Sequence, residues 1–161
     1  MIMKSIDALN SQARVWIYQA NEPFANQEVA EVEHNLQQFA EQWVSHNNQL
    51  KAGAAILHDR FLVLAVDETQ AGASGCSIDS SVNFLKKLGA HYQRDLFDRL
   101  RFSYVDNGAV HTVSKDDFAQ LYQDGTINDE TLVFDPLVKT VEELSSGFQK
   151  PLKDSWHSRF V

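Results

Sequence analysis

The run Phe61-Leu62-Val63-Leu64-Ala65-Val66 is apolar at every position. Successive side chains of a strand point to opposite faces, so a strand apolar on both parities has to be buried on both. It reads as a central strand. Before it, Lys51 to Leu57, with Ala52, Gly53, Ala54 and Ala55, is a weaker strand whose small side chains permit close packing from above. His58-Asp59 joins the two in two residues, but without glycine it makes a poor primed turn.

The other elements follow from periodicity and punctuation. Arg14 to Gln19 is rich in β-branched and aromatic residues and reads as a strand, broken at Pro23. Val29, Val32, Leu36, Phe39, Ala40 and Trp43 share one helical face, with Asn26 as the expected N-cap. Val82, Leu85, Leu88 and Tyr92 repeat core spacing in a second helix. Leu100 to Val105 and Ala109 to Val113 flank Asp106-Asn107-Gly108, and Asn-Gly suits a tight hairpin. Ser114 to Asp117 resembles a capping box ahead of a short helix that Gly125 stops. A short strand at Thr131 to Phe134, a weak helix over Val138 to Leu144 and an irregular tail from Pro151 complete the chain.

The expected fold class is α+β. The first six elements, β-α-β-β-α-β, match a ferredoxin-like antiparallel sheet with helices on one face. The extra hairpin strand and the C-terminal segments should extend or edge that sheet. At 161 residues and 18.2 kDa, a single domain over residues 1–161 is expected.

Charge narrows the functional classes. The chain carries 14 Lys+Arg against 22 Asp+Glu, a formal charge of −8. Val15 to Leu50 holds five acids and no Lys or Arg, and residues 106–149 hold nine acids against two bases. Only residues 86–105, with Lys86, Lys87, Arg94, Arg99 and Arg101, reach +3. That stretch reads either as a solvated helix face or as a dock for an acidic group. A net-negative body repels phosphate backbones, so no nucleic-acid partner is expected. No run of about 18 apolar residues exists to cross a membrane, and the Met1 end lacks the pattern of a signal peptide. A cytoplasmic location is the expectation. One cysteine excludes an intramolecular disulfide and a thiolate zinc cluster, and no two histidines sit at metal-ligand spacing. No metal and no cofactor is expected.

The segment Asp67 to Ser81, which reads Asp-Glu-Thr-Gln-Ala-Gly-Ala-Ser-Gly-Cys-Ser-Ile-Asp-Ser-Ser, stands apart. It leaves the buried strand and enters a helix, where free amides and the helix dipole favour an anion. Gly72 and Gly75 would let a ligand approach the backbone, and Ser74, Ser77, Ser80 and Ser81 add hydroxyl donors. The plainer alternative is that Ser77 or Asp79 caps the helix and the glycines relieve the turn. The loop is no P-loop, because nothing basic lies between Asp67 and Ser81. Cys76 near a helix N-terminus is where a thiolate would be favoured, but a nucleophile also needs a positioned base. Asp79 and His157 are the candidates for orienting or base group. The other reading of Cys76 is a packed, inert thiol. In the tail, Trp156, His157 and Arg159 could close over the loop or form a partner-docking strip. Alternatively Trp156 and Phe160 fill a gap in the core and Arg159 pairs with a surface acid.

Arg14 to Gln19, Ala73 to Ser81, Asp95-Leu96-Phe97 and Lys153 to Phe160 together resemble a small family of Bacteroidetes proteins often labelled "ABC transporter ATPase". The resemblance runs nearly end to end, and it implies no catalytic residue. The label itself meets no support in the residues. The Walker lysine is missing, and Leu144-Ser145-Ser146-Gly147-Phe148-Gln149 departs from the Leu-Ser-Gly-Gly-Gln signature.

The leading expectation is a non-catalytic module that binds a small anionic or polar ligand, or a protein segment. Gln70, Ser74, Gly75, Cys76, Ser77 and Ser80 would do the binding, with Trp156 and Arg159 closing the site. A cysteine-dependent enzyme with Cys76 as nucleophile is the alternative. A structural or assembly protein is the third.

Overall fold

The computed structural model describes residues 4–161. The fully apolar run becomes β5 (Phe61–Asp67), the middle of a three-stranded antiparallel sheet between β1 (Arg14–Gln19) and β4 (Lys51–Leu57). Every β5 residue is buried, with Leu64 facing Trp16 on one side and Ala54 on the other. The turn at His58-Asp59 puts both residues in the left-handed region, at φ 51° and 59°. This is the primed pair that the absence of glycine had argued against. His and Asp tolerate that region better than most residues, and local bonds hold it. Arg60 Nε donates to His58 O at 3.0 Å, Phe24 N–H donates to Asp59 O at 2.8 Å, and the His58 ring lies 4.8 Å from Phe134.

Helices α2 (Asn26–Gln42) and α3 (Gly75–Tyr92) cover one face of this sheet, as the spacing required. Val32, Leu36, Ala40, Leu85 and Leu88 pack there on Ile56, Leu62, Leu64 and Val66. The cap of α2 is Ala25 rather than Asn26, and the Glu28 carboxylate accepts the Ala25 N–H at 2.9 Å. The short α1 (Lys4–Asp7) crosses β4 so closely that a Cβ on Gly53 would lie 2.8 Å from Ser5 O.

The opposite face is covered as well. Phe61, Val63, Ala65 and Ile17 meet Phe134, Val141, Leu144 and Phe148. These come from β8 (Leu132–Phe134), α5 (Val141–Gly147) and its C-cap Phe148. β8 belongs to a second antiparallel sheet, ordered β7-β6-β8-β9, with β6 (Arg101–Asp106), β7 (Ala109–Ser114) and β9 (Gln149–Pro151). The α+β class and the antiparallel pairing are as expected, but the single extended sheet is divided, and β2 (Val44–Ser45) and β3 (Asn48–Gln49) form a separate two-stranded ladder after α2. β6 turns back through Asn107-Gly108, at φ 51° and 75°, and pairs with β7 over its whole length instead of lining β1. A third core under this sheet joins Phe102, Phe118, Ile127, Val133 and Leu152. Helix α4 (Lys115–Gln123) contributes Phe118 and is capped by Ser114, whose Oγ accepts the Asp117 N–H at 3.2 Å. The tail is ordered into β9 and two 3-10 turns, Leu152–Asp154 and Trp156–Phe160. Among the described residues no helix is long and apolar enough to cross a membrane.

Candidate functional site

The Ser/Gly loop turns its hydroxyls inward. Ser74 Oγ accepts the Ser77 N–H at 3.1 Å, while Ser77 Oγ accepts the Ser74 N–H at 2.7 Å and donates to Ser74 O at 2.8 Å. This reciprocal pair is a capping box with serine at both positions. The cap is therefore Ser74, with Ser77 as its partner and Asp79 exposed beyond them. Ser80 and Ser81 donate to Ser77 O and Ile78 O, and the Trp43 indole N–H also donates to Ser77 O. The loop ahead is folded on itself. Glu68 Oε2 accepts the Ala73 N–H at 2.9 Å, and Asp67 Oδ1 accepts from the Thr69 N–H and hydroxyl. Those Thr69 bonds hold the Asp67 carboxyl below the usual carboxylate range, against its burial. Gln70, Gly75 and Cys76 are exposed. Cys76, Ser74, Ser77 and Ser80 border a shallow depression with Val44, His46 and Asn47.

The tail does not reach this loop. His157 is buried under the second sheet, stacked 3.8 Å from Trp156 and facing Phe102 and Phe118. Its Nδ1 shares a 2.6 Å hydrogen bond with Ser155 Oγ, and burial pulls its imidazole down to about 4. Its ring neighbours are Trp156, Phe102 and Phe118, and Asp79 stays exposed on the α3 surface. Arg159 is exposed, outside every ion pair among the described residues. Trp156 and Phe160 pack on Phe102, with ring centroids 5.7 and 5.1 Å away. The core-filling alternative describes them correctly, and they also wall a cleft elsewhere.

That cleft opens where β1 and β6 fail to meet. A cavity of about 220 Å³ is bounded by Tyr18, Leu96, Phe97, Leu100, Leu137, Trp156 and Phe160 among others. Phe97, Leu100 and Leu137 are 37, 51 and 48 % exposed, so three large apolar side chains meet water at one place. The cleft continues along β1 into a groove of about 290 Å³, through the shared residues Ile17, Tyr18, Arg99, Pro136 and Leu137. Arg14, Arg99 and Lys139 line this second part, and no Asp or Glu does. None of the three is in an ion pair among the described residues. The Arg14 guanidinium lies over the Trp16 ring at 4.6 Å. Tyr18 and Arg99 both line this space; burial raises the Tyr18 hydroxyl pKa and the Arg99 charge opposes it.

The walls are braced by Asp135. Its Oδ1 accepts the Trp156 indole N–H and the Leu137 N–H, and its Oδ2 accepts from Lys150 Nζ, each at 2.9 Å. Burial alone would raise this carboxyl, but the three donors outweigh it and leave it lowered.

Sequence reading missed this groove because its residues come from three separated segments. The one signal was Arg99 in the +3 stretch. That stretch is no single helix face: α3 ends at Tyr92, Arg94 is tied to Glu28 at 3.2 Å, and Arg101 meets Asp98 at 3.4 Å. Among the described residues no three His, Cys, Asp or Glu side chains converge as a metal cluster. Comparisons with protein-family models, curated proteins and solved structures found no match.

Proposed function

We propose that the protein is a non-catalytic binding module that takes an anionic ligand with an apolar group in the groove along β1. The observation that carries this is the gathering of Arg14, Arg99 and Lys139 around the part of the groove along β1, where no acid lines it and the one acid of the adjoining cleft, Asp98, is paired with Arg101, in a chain with formal charge −8. Cations on an acidic surface ordinarily find carboxylate neighbours. Three left together focus a positive potential in a concave site. The adjoining apolar cleft removes the body of the ligand from water, at roughly 25 cal/mol per Å² buried. The function expected from sequence is kept, and its site moves from the serine loop to β1. The one exposed cysteine fits a reducing compartment, and we place the module in the cytoplasm.

A thermal-shift and calorimetric comparison of 2-naphthoate, octanoate and neutral 2-naphthalenemethanol tests the proposal. The carboxylates should raise the melting temperature, the alcohol much less, and Arg99→Glu should cancel the difference. A probe at about 100 times its Kd stabilises by about 2.7 kcal/mol. No shift with either carboxylate, or shifts indifferent to Arg99→Glu, would remove the groove as the binding site.

A further inference from the structure

We propose that the natural occupant of this groove is an extended, acidic peptide segment of a partner protein, which pairs as an added strand with an open window in β1. This rests on the groove being the binding site and names what fills it.

The backbone supplies the first argument. Val15 N–H donates to Lys139 O at 2.9 Å, and Val141 N–H donates to Ala13 O at 3.0 Å. Both bonds lie on the side of β1 away from β5, so the odd-numbered residues of β1 turn their amides and carbonyls outward. Farther along, Asn21 N–H donates to Asp95 O at 3.0 Å. Between these tied ends, Ile17 presents its N–H and C=O to the groove with no partner among the described residues. Gln19 follows on the same edge, and its side-chain amide donates to Arg101 O at 2.8 Å. The edge is thus paired, open, then closed again.

The opposite wall cannot fill the window. Continuing the Arg14–Thr140 bridge toward the groove would bring Leu137 opposite Ile17. The Leu137 N–H, which would have to meet Ile17 O, is taken by Asp135. The two strands therefore splay apart where Ile17 needs a partner. An open, flat edge invites sheet-to-sheet aggregation. This one is recessed between Arg99-Leu100 and Pro136-Leu137, so it admits a single extended chain and excludes a second sheet edge.

Side chains supply the second argument. An added strand gains affinity from main-chain bonds and specificity from pockets for alternate side chains. The apolar cleft offers such a pocket, and Arg14, Arg99 and Lys139 demand carboxylates beside it. An anionic membrane surface would satisfy the cations but leave the recessed Ile17 backbone unpaired, and the chain's net charge would repel it.

The test is a selection of random seven-residue displayed peptides on the intact protein, followed by fluorescence anisotropy on the strongest binder. Enriched peptides should carry acids interleaved with apolar residues. N-methylation of alternate amides on the pairing edge, and separately Arg99→Glu, should each weaken binding about tenfold or more. Lys86→Glu on the outer face of α3 should not. No enrichment, or binding indifferent to N-methylation, overturns the added strand. So does tighter binding to phosphatidylglycerol vesicles than to any peptide. If 2-naphthoate still binds in an Arg99-dependent way while peptides do not, only this inference fails. If neither responds to Arg99→Glu, the groove itself fails.

Discussion

The indole N–H of Trp156 donates to Asp135 Oδ1 at 2.9 Å, and through this bond the C-terminal turn is fastened to the wall of the β1 groove. The same oxygen accepts the Leu137 N–H, so one carboxylate sets two lining residues. Trp156→Phe keeps an aromatic ring against Phe102 but removes the donor and part of the ring volume. It should cost about 1–2 kcal/mol in urea unfolding and weaken 2-naphthoate binding. Unchanged binding would mean that the fastening does not shape the cleft.

Acid should destabilise the fold in two separate windows. His157 is 1 % exposed; burial lowers its pKa to about 4, Asp135 opposes that and Lys150 adds to it. The unfolded chain, with an imidazole near 6.5, binds more protons than the folded one between those values. Stability is therefore full above about pH 6.5 and falls toward pH 4, by on the order of 3 kcal/mol. The lowered Asp135 carboxyl contributes stability that is present above the ordinary carboxylate range and lost only below it. Unfolding free energies from pH 8 to 4 should show this slope, and His157→Phe should flatten it. A slope that persists in the variant would assign it to other groups.

The core was legible where periodicity is local. Phe61 to Val66 announced a strand with two buried faces, and the structure covers both. The ferredoxin-like expectation, with helices on one face, left the other face of that same strand without a partner. The run itself was the better guide. What it could not say is that the second cover comes from Phe134 and Leu144, more than 65 residues later. The division of the sheet was equally hidden, because a hairpin signal at Asn107-Gly108 fixes β6 against β7 but not β6 against β1. The groove inherits that blindness. Arg14, Arg99 and Lys139 are unremarkable in sequence, and only the failure of β1 and β6 to pair brings them together.

The serine loop makes a sharp stability prediction. Ser77 is 3 % exposed and closes both bonds of the cap with Ser74. Ser77→Ala should cost about 1–2 kcal/mol in urea unfolding. Cys76→Ser, one residue away and exposed, should stay within about 0.5 kcal/mol of the parent. Neither should alter 2-naphthoate affinity. A loss of affinity without a loss of stability in either variant would return the binding site to this loop.

A chain of polar contacts ties the two sheets together, and its energetics can be separated. Ser103 Oγ donates to Gln19 Oε1 at 2.7 Å, lies 2.7 Å from Thr112 Oγ1, and Arg60 Nη1 donates to Thr112 Oγ1 at 3.1 Å. Arg60 is 9 % exposed and in no ion pair among the described residues, and its hydrogen bonds there go to neutral oxygens, His58 O and Thr112 Oγ1. Burial accordingly lowers its pKa, with Asp59 opposing. Thr112→Val removes one of those oxygens and should cost about 1–3 kcal/mol, the penalty of a buried donor left unpaired. Arg60→Met loses the bonds to His58 O and Thr112 but also the need to solvate a charge. The double variant should therefore be less damaging than the two single ones added, with a coupling of about 0.5–3 kcal/mol by urea unfolding. Strict additivity would mean that the guanidinium draws its solvation from water, and that Thr112 serves Ser103 alone.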